Sequence, residues 1–181
     1  KALAVYFEEE NEDGSIKVVD EKWMNHIASY SLWWIIIQYE WFMAYGNDKY
    51  LLEQKDYFVK LTDHIFSWID DGMVTKGKTE YVKERFIDWS SKDTPSEIEG
   101  LKAICCIALD CAAKIFARFE DKEYAAKCSK YANSFRKSTE TNDLNKRAAA
   151  LLVLADIPSK KALELLKGNS AEEMSSFFGY P

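Results

Sequence analysis

An all-α fold built from consecutive helix pairs is what the sequence predicts, and three observations predict it. Apolar residues recur at three- and four-residue intervals through most of the chain. Glycine and proline are scarce, seven and three in 181 residues, so long helices run with few interruptions. The apolar stripes also alternate between two kinds, one apolar nearly all round and one apolar on a single side. At 48% hydrophobic, a chain of this length can bury one sizeable core without a disulfide or metal staple, and residues 1–181 read as a single domain.

The elements follow in order. Residues 1–10 carry Leu3, Val5, Tyr6 and Phe7 and are expected to form the tail of a helix rather than a strand. From Ser29 to Tyr45, Leu32, Ile35, Ile36, Tyr39, Phe42 and Met43 make one helical stripe. Trp33, Trp34, Ile37, Trp41 and Ala44 fill the other side, so this helix is interior. After a break at Gly46-Asn47-Asp48, Tyr57, Phe58, Leu61, Ile65, Trp68 and Ile69 face one way and Lys55, Asp56, Lys60, Asp63 and Asp70 the other. That helix covers the first and ends at Asp70-Asp71-Gly72.

A long connection runs from Met73 to Pro95, in which Lys76-Gly77-Lys78 supplies the turn of a small β-hairpin within residues 73–86. A second interior helix is expected from Glu97 to Phe119, with Ser96 or Thr94 as its cap, followed by a second covering helix striped by Tyr124, Cys128, Tyr131 and Phe135. The cycle returns in shorter form, Leu144 to Ala155 and then Lys160 to Leu166, across Asp156-Ile157-Pro158. Three pairs of this kind make an α/α repeat that can close into a double ring or stay open as a solenoid. The first two pairs are too long for tetratricopeptide units.

Composition excludes several classes of function. The formal charge is −6 and the basic residues are scattered, so the chain lacks the positive stripe that a phosphate backbone demands; no nucleic acid partner is expected. Uninterrupted apolar runs such as Leu32 to Ile37 and Ala148 to Ala155 are far too short to cross a bilayer, so no membrane span is expected. Cys105, Cys106, Cys111 and Cys128 fall in helical stripes and read as small buried hydrophobes. His26 and His64 form no paired ligand motif, and Gly-rich phosphate cradles and nucleophile elbows are lacking. No metal or cofactor is therefore expected.

Chemistry is sought where loops enter the interior helices, because in a ring of helix pairs those loops converge on one end of the central cavity. Three such segments are aromatic, and the first two also acidic: residues 20–31, residues 86–99, and the terminal Ser175 to Tyr180. Aromatic planes beside carboxylates suit a sugar, whose C–H faces stack while its hydroxyls need acceptors. Trp34, Trp41 and Trp68 lie in helix stripes and are expected in the core, and Trp33 has the same pattern. Asp88 and Trp89 sit in a loop, where they either line a cavity or cap a turn. Glu97 and Glu99 open a helix, where the dipole favours carboxylates whatever the function.

An ordered series of segments resembles the α-L-rhamnosidase-like enzymes of glycoside hydrolase family 78. The series runs Asn11-Glu12-Asp13-Gly14-Ser15-Ile16, Tyr30-Ser31-Leu32-Trp33-Trp34, Tyr45-Gly46-Asn47-Asp48, Phe86-Ile87-Asp88-Trp89-Ser90 and Ser175-Ser176-Phe177-Phe178-Gly179. The resemblance implies that the chain is part of an (α/α)6 toroid and that its parent is an inverting hydrolase of terminal α-L-rhamnosides. It implies sugar contacts from Asp88 and Trp89, with Tyr30, Trp33, Phe177 and Phe178 at the cavity rim. In the family the general acid lies upstream of the matched segments and the general base downstream, so no catalytic residue is assigned here. Ser29 stands where the family commonly has an acidic residue.

The chain begins at Lys1 and stops in an aromatic run, and is expected to be an internal fragment. Its inner helices should then leave apolar flanks exposed, through which copies would associate. The rival expectation is a helical-repeat scaffold that binds a peptide on its concave face.

Overall fold

The computed structural model describes residues 8–10, 16–18, 28–71, 74, 87, 95–137 and 144–168. Among these the chain is helical apart from one two-stranded hairpin. Strand β1 (Glu8–Glu10) pairs antiparallel with β2 (Ile16–Val18), in a register that sets Glu9 opposite Lys17. This corrects the helix expected over residues 1–10, at least for 8–10. The five residues between the strands, Asn-Glu-Asp-Gly-Ser, are turn formers, and three consecutive glutamates favour no helix face. Of the hairpin expected within 73–86, only the buried Val74 falls among the described residues.

Helix α1 (Ala28–Tyr45) buries Ala28, Ser29, Ser31, Leu32, Ile35 and Ile36. It ends at Gly46, whose φ of +65° is the left-handed geometry glycine adopts without a Cβ penalty, and whose N–H donates to Phe42 O at 2.7 Å. Asn47 then caps a short helix absent from the periodicity, α2 (Asp48–Glu53), by accepting from the Tyr50 N–H at 3.0 Å. Helix α3 (Lys55–Asp71) follows after Gln54.

Helix α4 (Pro95–Arg118) starts on proline, whose missing N–H costs nothing in the first turn. Ser96 therefore lies inside the helix and is not its cap. Its Oγ instead accepts from the Asn145 N–H at 2.8 Å, joining two helix starts. Glu120, at φ +60°, turns the chain into α5 (Lys122–Arg136), capped by Asp121. Asn145 caps α6 (Lys146–Leu154), and Ser159 caps α7 (Lys160–Lys167) after a turn through Asp156 at φ +54°.

Helices α4 and α5, and helices α6 and α7, pack as consecutive pairs. Helix α4 lies in the middle, packed by α1, α6 and α5, and α7 covers α6. Small side chains let neighbours approach α4 closely: Ala103, Cys105, Cys106, Ala108, Cys111 and Ala112 are all buried. The Cys106 thiol reaches the carbonyls of Ala132 on α5 and Ala155 after α6, at 3.5 and 3.8 Å. Helix α1 meets α3 through rings, Trp34 lying 4.9 Å from both Tyr57 and Phe58.

Cross-contacts fix the directions. Lys114 of α4 sits over the Tyr39 ring of α1, and at the end of α4 Arg118 makes a two-armed bond, at 2.5 and 2.7 Å, to Asp48, which opens α2 just past the end of α1. At the other end Ser96 and Glu97 meet Asn145 and Arg147. Helices α1, α4 and α6 are thus parallel, a row of inner helices. The outer helices α3 and α5 are parallel too. Asp63 accepts from the Tyr124 hydroxyl, Asp70 accepts from the Tyr131 hydroxyl, and each rung spans 61 positions of sequence. Between the rungs Phe66 stacks on Tyr131 with centroids 4.7 Å apart, and Lys127 lies over Phe66.

This seam carries an alkaline liability. Burial, and then the bond to Asp63, push the Tyr124 phenol up to about 12, and burial and Asp70 raise Tyr131 in the same direction. A phenol raised in the folded chain stabilises it fully below its ordinary pKa of about 10, and that contribution is lost as pH rises through the folded value. Replacing both tyrosines with phenylalanine should lower the urea midpoint by an amount constant below about pH 10 and gone by about pH 12. A difference that persists at the upper pH, or phenolate absorbance appearing at the ordinary pKa, would count against the seam.

Candidate functional site

The N-terminal ends of the inner helices form the candidate site, and the chain places an unusual set of charges there. Glu97 in the first turn of α4 is 2% exposed, and Arg147 in the first turn of α6 is 4% exposed. The Arg147 guanidinium donates to a Glu97 carboxylate oxygen, and the Asn145 amide donates to the same oxygen at 3.1 Å. Glu99, two residues on and so on another side of α4, is also buried and accepts from Lys102 at 2.7 Å. Lys146 is buried as well, its ammonium donating to Gly168 O at 3.2 Å and so tying the start of α6 to the end of α7.

Each feature has a local cause. Carboxylates in the first turn of α4 are favoured by the helix dipole. Lys146 and Arg147 open α6 against that dipole, and the opposing carboxylate of α4 makes Arg147 tolerable. Two basic residues at the start of an Ala/Leu-rich helix were the sequence signal that a buried anion must stand nearby, and pattern reading missed it. Glu97 and Glu99 are both engaged by cations of the same chain. Glu97 anchors α4 to α6, whereas the pair of Glu99 with Lys102 lies within α4.

Ile87, from the loop before α4, is buried against this end. A Cβ built on Gly100 would meet its Cδ1 at 2.7 Å, with Leu151 and Ala148 of α6 next nearest. Glycine at position 100 is therefore what lets Ile87 seat between α4 and α6. Asp88, Trp89, Phe177 and Phe178 lie outside the described residues, as does His26.

Of the residues expected at the cavity rim, Tyr30 and Trp33 are both on α1, one turn apart. Tyr30 is 40% exposed and Trp33 half-buried against the core. At about 100° per residue, Tyr30 projects from the side of α1 opposite Tyr39, the residue that meets α4. Glu97 faces α6. The aromatic pair and the buried ion pair therefore stand on opposite sides of α4. Trp34 and Trp68 pack as expected, Trp34 on α3 and Trp68 half-buried against the core beside His64.

The four cysteines are buried free thiols. Burial pushes Cys106 and Cys111 up to about 11 and Cys128 to about 12, and raises Cys105 as well, so all remain protonated at neutral pH. Among the described residues, no group of histidine, cysteine or acidic side chains could hold a metal ion. Among them, too, no helix is long and apolar enough to cross a membrane. The chain matches no protein-family model, no curated protein and no solved structure.

Proposed function

We propose that the chain is a section of a helical hydrolase domain of the α-L-rhamnosidase type, closing with further helix pairs into an (α/α)6 toroid. In this reading it supplies sugar-binding wall and neither catalytic carboxylate. The observation that carries the reading is the parallel row α1–α4–α6 with its outer partners, which gathers the starts of the inner helices at one end. There Trp89 would stack on the pyranose and Asp88 accept from its hydroxyls, with Tyr30, Trp33, Phe177 and Phe178 at the rim. The engagement of Glu97 and Glu99 by cations agrees with a wall that donates no proton.

Titration with L-rhamnose, followed by tryptophan fluorescence, tests this. Saturable binding in the millimolar range is expected, weakened at least about tenfold by Trp89→Ala, with no turnover of an aryl α-L-rhamnoside. Absence of a saturable response, or hydrolysis abolished by replacing a carboxylate of this chain, would overturn it.

A helical-repeat scaffold is the second reading. It is favoured by the Glu97–Arg147 pair, which holds the starts of α4 and α6 together as a structural tie. No rhamnose response is expected of a scaffold, so the titration separates the two.

A further inference from the structure

Among the described residues, the large apolar side chains that remain exposed all fall at the two ends of the inner-helix row. Tyr30, Ile37, Met43 and Tyr45 lie on α1 and Leu52 on the adjoining α2, while Val153 and Leu154 lie on α6 and Leu163 on the adjoining α7. Helices α3, α4 and α5 contribute none. In the middle of the row α4 is covered on both flanks, by α1 and by α6. Among the described residues, each end helix has the same apolar character but only one inner-helix neighbour, α4.

The free flanks are well defined. On α1, Tyr30, Ile37 and Ala44 recur every seven residues and stay accessible on the side away from Tyr39 and α4, with Glu40 beside them. On α6, Ala148 and Leu151 face Gly100 of α4, and Ala150, Val153 and Leu154 project the other way. The α1 flank is large and aromatic, whereas the α6 flank is smaller. Glu40 is the only charge on the first, and α7, beside the second, exposes Lys160 and Lys167.

We propose that the α1 flank of one copy of this chain docks on the α6 flank of a second copy, head to tail, continuing the row of parallel inner helices from molecule to molecule. The contact would repeat the kind of packing already made within the chain between α1 and α4. The inference concerns this chain by itself and does not rest on the carbohydrate reading, in which the same two flanks are where further helix pairs would join. Nine residues of α6 cover only about 14 Å of an α1 that is about 27 Å long, so the contact falls below the standard interface of about 800 Å² per partner. Association is therefore weak and concentration-dependent. A head-to-tail contact also leaves a free flank at each end, so growth proceeds beyond the dimer.

Sedimentation of the full chain tests it through complementation. The wild type should rise above its 20.9 kDa monomer mass as concentration approaches about 1 mM. Ile37→Glu and Leu154→Glu should each associate at least about tenfold more weakly, because each blocks one of the two surfaces. An equimolar mixture of the two should regain association and stop at the dimer, since only one productive pairing survives. Tyr30→Glu and Val153→Glu give the same readout should either first variant lose helix content by circular dichroism. A wild type that stays monomeric, a Leu154→Glu chain that associates like the wild type, or a mixture without recovery would each overturn the proposal. Rhamnose binding by Ile37→Glu, Leu154→Glu and Val153→Glu, none of which touches a residue placed at the sugar site, would be untouched, which keeps this test separate from that of the function.

Discussion

Glu97→Ala is expected to lower the unfolding free energy by about 3–5 kcal/mol, read as a drop in the urea midpoint at unchanged slope. The cost arises from what is left behind. Arg147 is 4% exposed in the first turn of α6, where the helix dipole already disfavours a cation, and the Glu97 carboxylate is its buried counter-charge. Removing the anion strands both that guanidinium and the Asn145 amide that shares the same oxygen. Replacing both partners by apolar residues, Glu97→Leu with Arg147→Met, should recover most of the loss, because the desolvation of two ions disappears with them. A single variant as stable as the wild type would mean that the pair is open to water. A double variant less stable than the single would mean that the charges do more than cancel one another.

Phe58→Ala is expected to cost about 3–5 kcal/mol, with Phe58→Leu costing roughly half or less. Phe58 is fully buried where three elements meet, its ring 4.9 Å from Trp34 of α1 and 6.0 Å from Phe119 at the end of α4. Helices α1 and α3 are held together largely by these rings, so an alanine leaves a cavity that the wide helix pair cannot readily close. Thermal unfolding of the two variants measures the effect. A loss near 1 kcal/mol would show that the pair collapses onto the gap.

The helices themselves were legible because each has a strong period. The stripe of α3 from Tyr57 to Ile69, the nearly all-apolar α4 and the short α6 and α7 came from spacing alone, within a few residues of the observed ends. The errors share a cause. Residues 8–10 lack periodicity, and their strand exists only by pairing with residues 16–18. Helix α2 is six residues long, too short for a stripe to declare it, and its visible signal was the Asn47 cap. Ser96 resembled a cap because Ser often is one, but Pro95 takes the first helical position and Ser96 serves α6 instead.

The candidate site was less legible than the fold. The aromatic residues Tyr30 and Trp33 could be picked out by type, but the flank of α1 from which they project depends on where α4 lies. Glu97 was visible as a carboxylate at a helix start. Its partner, fifty residues later, was not.

By itself the sequence determined that the chain is helical over most of its described length and where the apolar stripes run. Its pattern implies an α1 buried on all sides, but Ile37, Met43 and Ala44, all counted into that apolar surface, stay exposed. Only the tertiary structure decided which helices are neighbours, that the inner ones run parallel, that Glu97 and Arg147 neutralise one another, and that the exposed apolar surface collects at the two ends of the row. Periodicity is a property of one helix at a time. Adjacency, counter-charge and uncovered flanks are relations between helices, and no local pattern encodes them.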